Sequence, residues 1–113
     1  MKGKLAAFSV VTVPFPFTDR LQSKRRPALL LSSLPEFGSI IGHSVLAMIT
    51  SSKNSAWPLD TPIHDLKSAG LPAASVIRMK LFTLDHRLIQ TVLGKLSPRD
   101  ESSVRASLRK LQP

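Results

Sequence analysis

Cysteine is absent from this chain, and that omission alone removes two classes of small domain. There can be no disulfide framework and no thiolate metal centre, and the usage fits a reducing cytosol. Acidic residues are scarce as well, and no two of them form a carboxylate pair with a defined geometry for acid–base work. The five glycines build neither a phosphate-cradling loop nor a G-x-S-x-G nucleophile turn. His43, His64 and His86 lack the spacing of a helical metal site, so they read as scattered surface histidines, and no metal or other cofactor is expected. No apolar run approaches the ~20 residues of a membrane helix. The opening "MKGKLAAFSVVTV" has the charge and apolarity of a signal peptide, but Thr12, Pro14 and Pro16 interrupt it and no small-x-small cleavage site follows. Repeats, low-complexity tracts and linkers are missing too. The expectation is a soluble cytosolic protein, residues 1–113 forming a single domain that can bury one core.

Positive charge is plentiful. Sixteen Lys and Arg stand against seven Asp and Glu, a net +9. Such a domain is expected to meet a polyanion, usually nucleic acid, or else simply to be kept soluble by its charge. Short β patterns dominate the pass along the chain. "SVVTVPF" predicts a strand over about 9–15, with Val11, Val13 and Phe15 on one face and Val10, Thr12 and Pro14 on the other. "ALLLSS" (28–33) suits a central strand, and "HSVLAMIT" (43–50) sends Leu46, Met48 and Thr50 to one side. Residues 51–62 read as a loop, and "HDLKSAG" as one helical turn ended by Gly70. Further strands are expected over 74–79 and 89–96, with a helical turn at "DHRL" between them. The C-terminus differs in kind: Ser97 caps, Pro98 takes the first helical position, and Val104, Leu108 and Leu111 follow at helical spacing, predicting one amphipathic helix over about 98–111. The fold class is therefore mainly β with one C-terminal helix, a small barrel-like sheet.

Three places could carry chemistry. In "PFPFTDRLQSKRRP" (14–27) a polar, cationic loop is held between Pro14 and Pro16 on one side and Pro27 on the other, since each proline fixes φ. Arg26 precedes Pro27 and is biased to an extended conformation, so its fork has a defined position suited to two phosphate oxygens. The same stretch is also compatible with a plain solvated hairpin loop. In "MITSS" (48–52), Thr50 ends a strand where it could donate to a phosphate oxygen, or merely terminate the strand. Trp57 stands alone in the 51–62 loop, either to stack on a base or to anchor that loop.

The motifs together resemble a family. "VTVPFPFTDRLQSKRRPALLLSS" resembles the N-terminal signature of the MazF/PemK toxins of bacterial toxin–antitoxin pairs. "LAMITSS" resembles that family's second strand-end motif, and "SAGLPAASVIRMKLFTLDHRLIQTVLGKLS" its C-terminal half, so the match runs over about residues 8–111. The resemblance implies a small SH3-like barrel of the MazF/PemK/CcdB type, a homodimer, and metal-independent cleavage of single-stranded RNA through the 2′-hydroxyl. It also implies a cognate antitoxin protein that lays a peptide segment into the RNA groove. Carried over residue by residue, the catalytic Arg falls on Arg26 and the catalytic Thr on Thr50. Lys24, Arg25, Ser51, Ser52, Lys53, Arg78 and Lys80 are then the RNA-binding set, and residues 18–25 a flap over the groove. The chain departs from several relatives in carrying Lys80 where they have an acidic residue, and "RLQSK" where others have a flap Glu. Asp19, the flap's one carboxylate, is the second-rank candidate for acid or base. The same fold also serves gyrase poisons, which bind a protein and cut nothing, and a relative that binds RNA without cleaving it is a third reading.

Overall fold

The computed structural model describes residues 5–15 and 24–113. Asp19 and most of the expected flap lie outside the described residues. Six strands form one antiparallel sheet: β1 (Ser9–Phe15), β2 (Lys24–Leu30), β3 (His43–Ser51), β4 (Thr61–Pro62), β5 (Ser75–Asp85) and β6 (Thr91–Lys95), in spatial order β4-β5-β3-β2-β1-β6. Four short helical segments, one of them the expected turn at His86–Leu88 between β5 and β6, and one long one accompany it. Leu34–Gly38 runs into α1 (Ser39–Ile41), α2 spans Leu66–Ala69, and α3 spans Pro98–Leu111.

The central strands are apolar on both faces because both faces are covered. Val10, Leu29, Ala47, Ile49 and Ile77 join Leu96 and Val104 in the larger core, whereas Val11, Val13, Ala28, Leu46, Leu84 and Ile89 form a second cluster on the opposite face. Alternation along β1, β2 and β3 produces this division directly. Curling of the sheet brings its two edge regions together. The chain leaves β4, forms α2, and packs that turn on β6, where the Ser68 hydroxyl donates to the Lys95 carbonyl at 2.7 Å. Glycine is required at this seam: a Cβ at Gly94 would stand 2.3 Å from the Ser68 carbonyl oxygen. Gly70, at φ +73°, ends α2 in the left-handed region, as its place in the sequence predicts. The result is a curled half-barrel closed by a short helix rather than by a strand.

The long helix is as expected. The Ser97 side chain accepts from the Asp100 amide, Pro98 opens the helix and Val104 is fully buried. Asp100 was not anticipated as a core residue. It is wholly buried and accepts from the backbone N–H groups of His64 (3.1 Å) and Asp65 (2.9 Å), which ties α3 to the segment after β4.

Several boundaries move relative to the sequence reading. The second strand begins at Lys24, not at 28, because Phe15, Pro14 and Val13 of β1 supply partners for Lys24, Arg25 and Arg26. Lys24 and Arg25 therefore belong to the strand and not to a flap. The strand expected over 74–79 runs on to Asp85: a bulge at Met79 and Lys80 breaks the alternation, after which Leu81–Asp85 pair with His43–Ala47. Two residues expected in the loop, Thr61 and Pro62, pair with β5 as β4.

Candidate functional site

A cleft of about 520 Å³ opens in the sheet itself, between β2 and β3. A proline stands where the ladder between these strands ends. Leu31 donates its N–H to the Val45 carbonyl, so odd-numbered positions along this run aim their backbone groups at β3, while the Leu30 carbonyl receives the Phe8 N–H on the β1 side. Pro27 is the odd-numbered position at which the next donor toward β3 is needed, and proline has none. The β2–β3 ladder accordingly ends at the pair Ala28–Met48. Each strand keeps its other partner beyond that point: β2 stays paired with β1 to Lys24, and β3 stays paired with β5 to Ser51. A gap between two rigid banks is the result.

Arg26 and Pro27 lie on one bank, Met48 to Ser51 on the other. Continuing the ladder's register past Ala28–Met48 brings Arg26 opposite Thr50. By alternation both share the face of Ala28 and Leu46. Arg26 is exposed and takes part in no ion pair among the described residues. Thr50 is half-buried, and its Oγ1 accepts a 2.6 Å hydrogen bond from the side-chain amide of Asn54. With an oxygen lone pair occupied, the threonine O–H remains for donation into the cleft.

Residues 71–75, Phe15 and Leu93 complete the lining, together with a wall built around Arg78. Its Nε and Nη2 donate to the two carboxylate oxygens of Asp60 at 3.2 and 3.0 Å, and Nη2 also donates to the Ser55 carbonyl at 2.6 Å. The guanidinium carbon sits 5.0 Å from the centre of the Trp57 ring. This bidentate pair is nearly out of solvent, at 12% and 13% side-chain exposure, and the arginine's hydrogen bonds hold the Asp60 carboxyl below the usual range. Arg78 thus lines the cleft but spends most of its donors on holding the 51–60 loop. Lys80, beside it, lies 5.1 Å from the Phe15 ring.

Of the residues singled out in the sequence, the structure brings Arg26, Thr50, Ser51, Arg78 and Lys80 into one cleft. Lys24, Arg25, Ser52 and Lys53 are not in its lining, and alternation along β2 turns Arg25 to the face opposite Arg26. The sequence reading missed Asn54, an ordinary turn residue until its contact with Thr50 is seen. It also missed Asp60, whose partner is 18 positions away. Among the described residues no three His, Asp or Glu gather in a metal-holding group, and no helix is long and apolar enough to span a membrane.

Comparison with known proteins agrees with this architecture. The family model described as PemK-like, MazF-like toxin of type II toxin–antitoxin system matches residues 6–112. The chain belongs to that family. Among solved structures, it is similar to a MazE–MazF complex from Deinococcus radiodurans (TM-score 0.73, 22% identity, 95% of this chain and 94% of that one). An endoribonuclease from a mycobacterial species, solved with its cognate antitoxin, superposes at TM-score 0.70 with 14% identity over 96% and 92% of the two chains. The Mycobacterium tuberculosis toxin MazF-mt6 does so at 0.69 with 16% identity, over 90% and 93%. Identities this low carry the fold, the curled sheet with its terminal helix. No curated protein matches the chain by sequence.

Proposed function

We propose that the cleft is the RNA-cleaving site of a toxin, with Arg26 and Thr50 performing the chemistry on single-stranded RNA. The observation that supports this best is that an exposed Arg26 and Thr50 line one cleft from opposite banks, past the point where the β2–β3 ladder ends. A phosphodiester lying in the gap meets two donors from one side. The ribose 2′-oxygen attacks phosphorus and loses its proton, the P–O5′ bond breaks, and O5′ takes up a proton. The products are a 2′,3′-cyclic phosphate and a 5′-hydroxyl. The attack builds charge on the non-bridging oxygens, where the Arg26 fork and the Thr50 hydroxyl donate. Arg26 is not the base, because guanidinium stays protonated. Asp19 keeps its place as the acid–base candidate of the sequence. Lys80 and the net charge of +9 supply attraction for the backbone on either side.

The partners in this reading are RNA, a second copy of the chain and a cognate antitoxin that competes for the cleft. Homologous toxins solved with antitoxins support the last of these. The deciding experiment is incubation of wild-type protein and Arg26→Ala with a long RNA in excess EDTA. Cleavage by the wild type alone is expected. Binding without cleavage by either protein leaves a non-catalytic RNA binder, and neither binding nor cleavage points to a protein target of the gyrase-poison kind.

A further inference from the structure

Trp57 is the chain's only tryptophan, and it remains 43% exposed on the rim of the cleft that holds Arg26 and Thr50. Tryptophan is highly buried on average. Here the anchoring is done by other groups. Asp60 accepts from the Trp57 backbone N–H at 2.9 Å, the Asp60 N–H returns to the Trp57 carbonyl, and Arg78 grips both Asp60 and the Ser55 carbonyl. Pro58 stiffens the turn, and Leu59 is held at φ +66°, a left-handed conformation that a leucine adopts only when its surroundings impose it. The Arg78 guanidinium then lies against the indole. A strained, doubly clamped turn therefore fixes an aromatic ring that it does not bury.

We infer that Trp57 is a stacking platform for a nucleobase of the bound strand, at a nucleotide flanking the phosphate that Arg26 and Thr50 engage. This rests on the reading of the cleft as an RNA site and adds a positioning role to it. The phosphate contacts hold the backbone and carry no information about bases, whereas a rigid aromatic face at the rim sets which nucleotide can lie flat and so where the scissile phosphate falls. Because Arg78 and Asp60 preorganise the ring, little ordering accompanies stacking.

The single tryptophan makes the test direct. A single-stranded 2′-deoxyoligonucleotide lacks the attacking hydroxyl and stays intact, and an abasic oligonucleotide of equal length keeps its charge. The base-bearing strand is expected to quench Trp57 emission and the abasic strand to bind without quenching. By anisotropy of the labelled strands, Trp57→Ala should weaken the base-bearing one roughly tenfold to a hundredfold, leave the abasic one unchanged, and be rescued by Trp57→Phe. Melting curves of both variants report whether the loop and fold are retained. Equal quenching by both strands, or base-bearing affinity within about twofold of wild type in a folded Trp57→Ala, overturns the platform and leaves the RNA-cleaving reading intact. If wild-type protein binds neither strand and cuts no RNA, the reading of the cleft falls and the platform with it.

Discussion

Asn54 donates to the Oγ1 of Thr50, four positions before it, at 2.6 Å, so the hydroxyl that a continued β2–β3 register would set opposite Arg26 is already hydrogen-bonded before any substrate arrives. A preorganised donor costs no reorganisation when charge develops on the phosphate oxygens. The relationship also ranks the residues of the site.

Arg26→Ala is expected to lower the maximal rate of RNA cleavage by about 10²–10³, the scale of a preorganised donor to developing charge. Thr50→Val should act in the same direction but less severely, since a neutral hydrogen bond is lost, and Thr50→Ser should retain most activity. Asn54→Ala should cost less again, roughly threefold to tenfold, because the hydroxyl survives but loses its orientation. Single-turnover rates at saturating RNA, with melting curves of each variant, check the order. A Thr50→Val protein as fast as wild type would remove that residue from the chemistry.

Pro27→Ala restores an N–H aimed at β3, where the ladder now ends at Ala28–Met48. The strands are expected to zip further and narrow the gap. Hydrogen exchange should find the new amide protected, cleavage should fall several-fold, and the melting temperature should not drop, because one further ladder bond forms at about 1 kcal/mol. A freely exchanging amide at position 27 would show that something other than the missing donor holds the banks apart.

Asp60→Ala leaves the nearly buried Arg78 guanidinium without its carboxylate, and a loss of about 2–3 kcal/mol is expected in denaturant titrations. The pH dependence has a definite sign. The folded carboxyl titrates below its ordinary value of 3.8, so its contribution is complete above that value and is lost as pH falls through the depressed folded pKa. The stability gap between wild type and Asp60→Asn should stay level from neutral pH down to about pH 4 and close only in stronger acid. A gap that closed near neutrality would contradict the ion pair.

Cleavage products are expected to carry 2′,3′-cyclic phosphate and 5′-hydroxyl ends and to form equally well in EDTA. A 2′-deoxy substitution at the scissile nucleotide should abolish the cut there. Binding of that uncleaved strand should weaken with salt at a slope of about −0.7 per phosphate neutralised. Normal cutting of the deoxy substrate would sink the 2′-hydroxyl mechanism, and a flat salt response would argue for a protein target. Sedimentation equilibrium should return twice the monomer mass.

Much of the molecule was legible in the amino-acid order because the signals involved are local. Period-two apolarity in "SVVTVPF" and "HSVLAMIT" determined β1 and β3 and even which residues share a face. The Ser97–Pro98 cap determined where α3 begins. The prolines drew attention to Arg26 and the family motifs to Thr50, and the structure brings both into one cleft. What no local signal carries is pairing across distance. That Lys24 and Arg25 are strand residues depends on β1 offering them partners, and that β5 runs to Asp85 depends on β3 doing the same past a bulge. The bond from Asn54 to Thr50, the clamp of Asp60 on Arg78, and the presentation of Trp57 exist only once β3, β5 and the loop between β3 and β4 are folded together. Pro27 shows the division most clearly. Its missing donor is written in the sequence, but only the order of the strands decides that the donor was owed to β3, and hence that its absence opens a cleft.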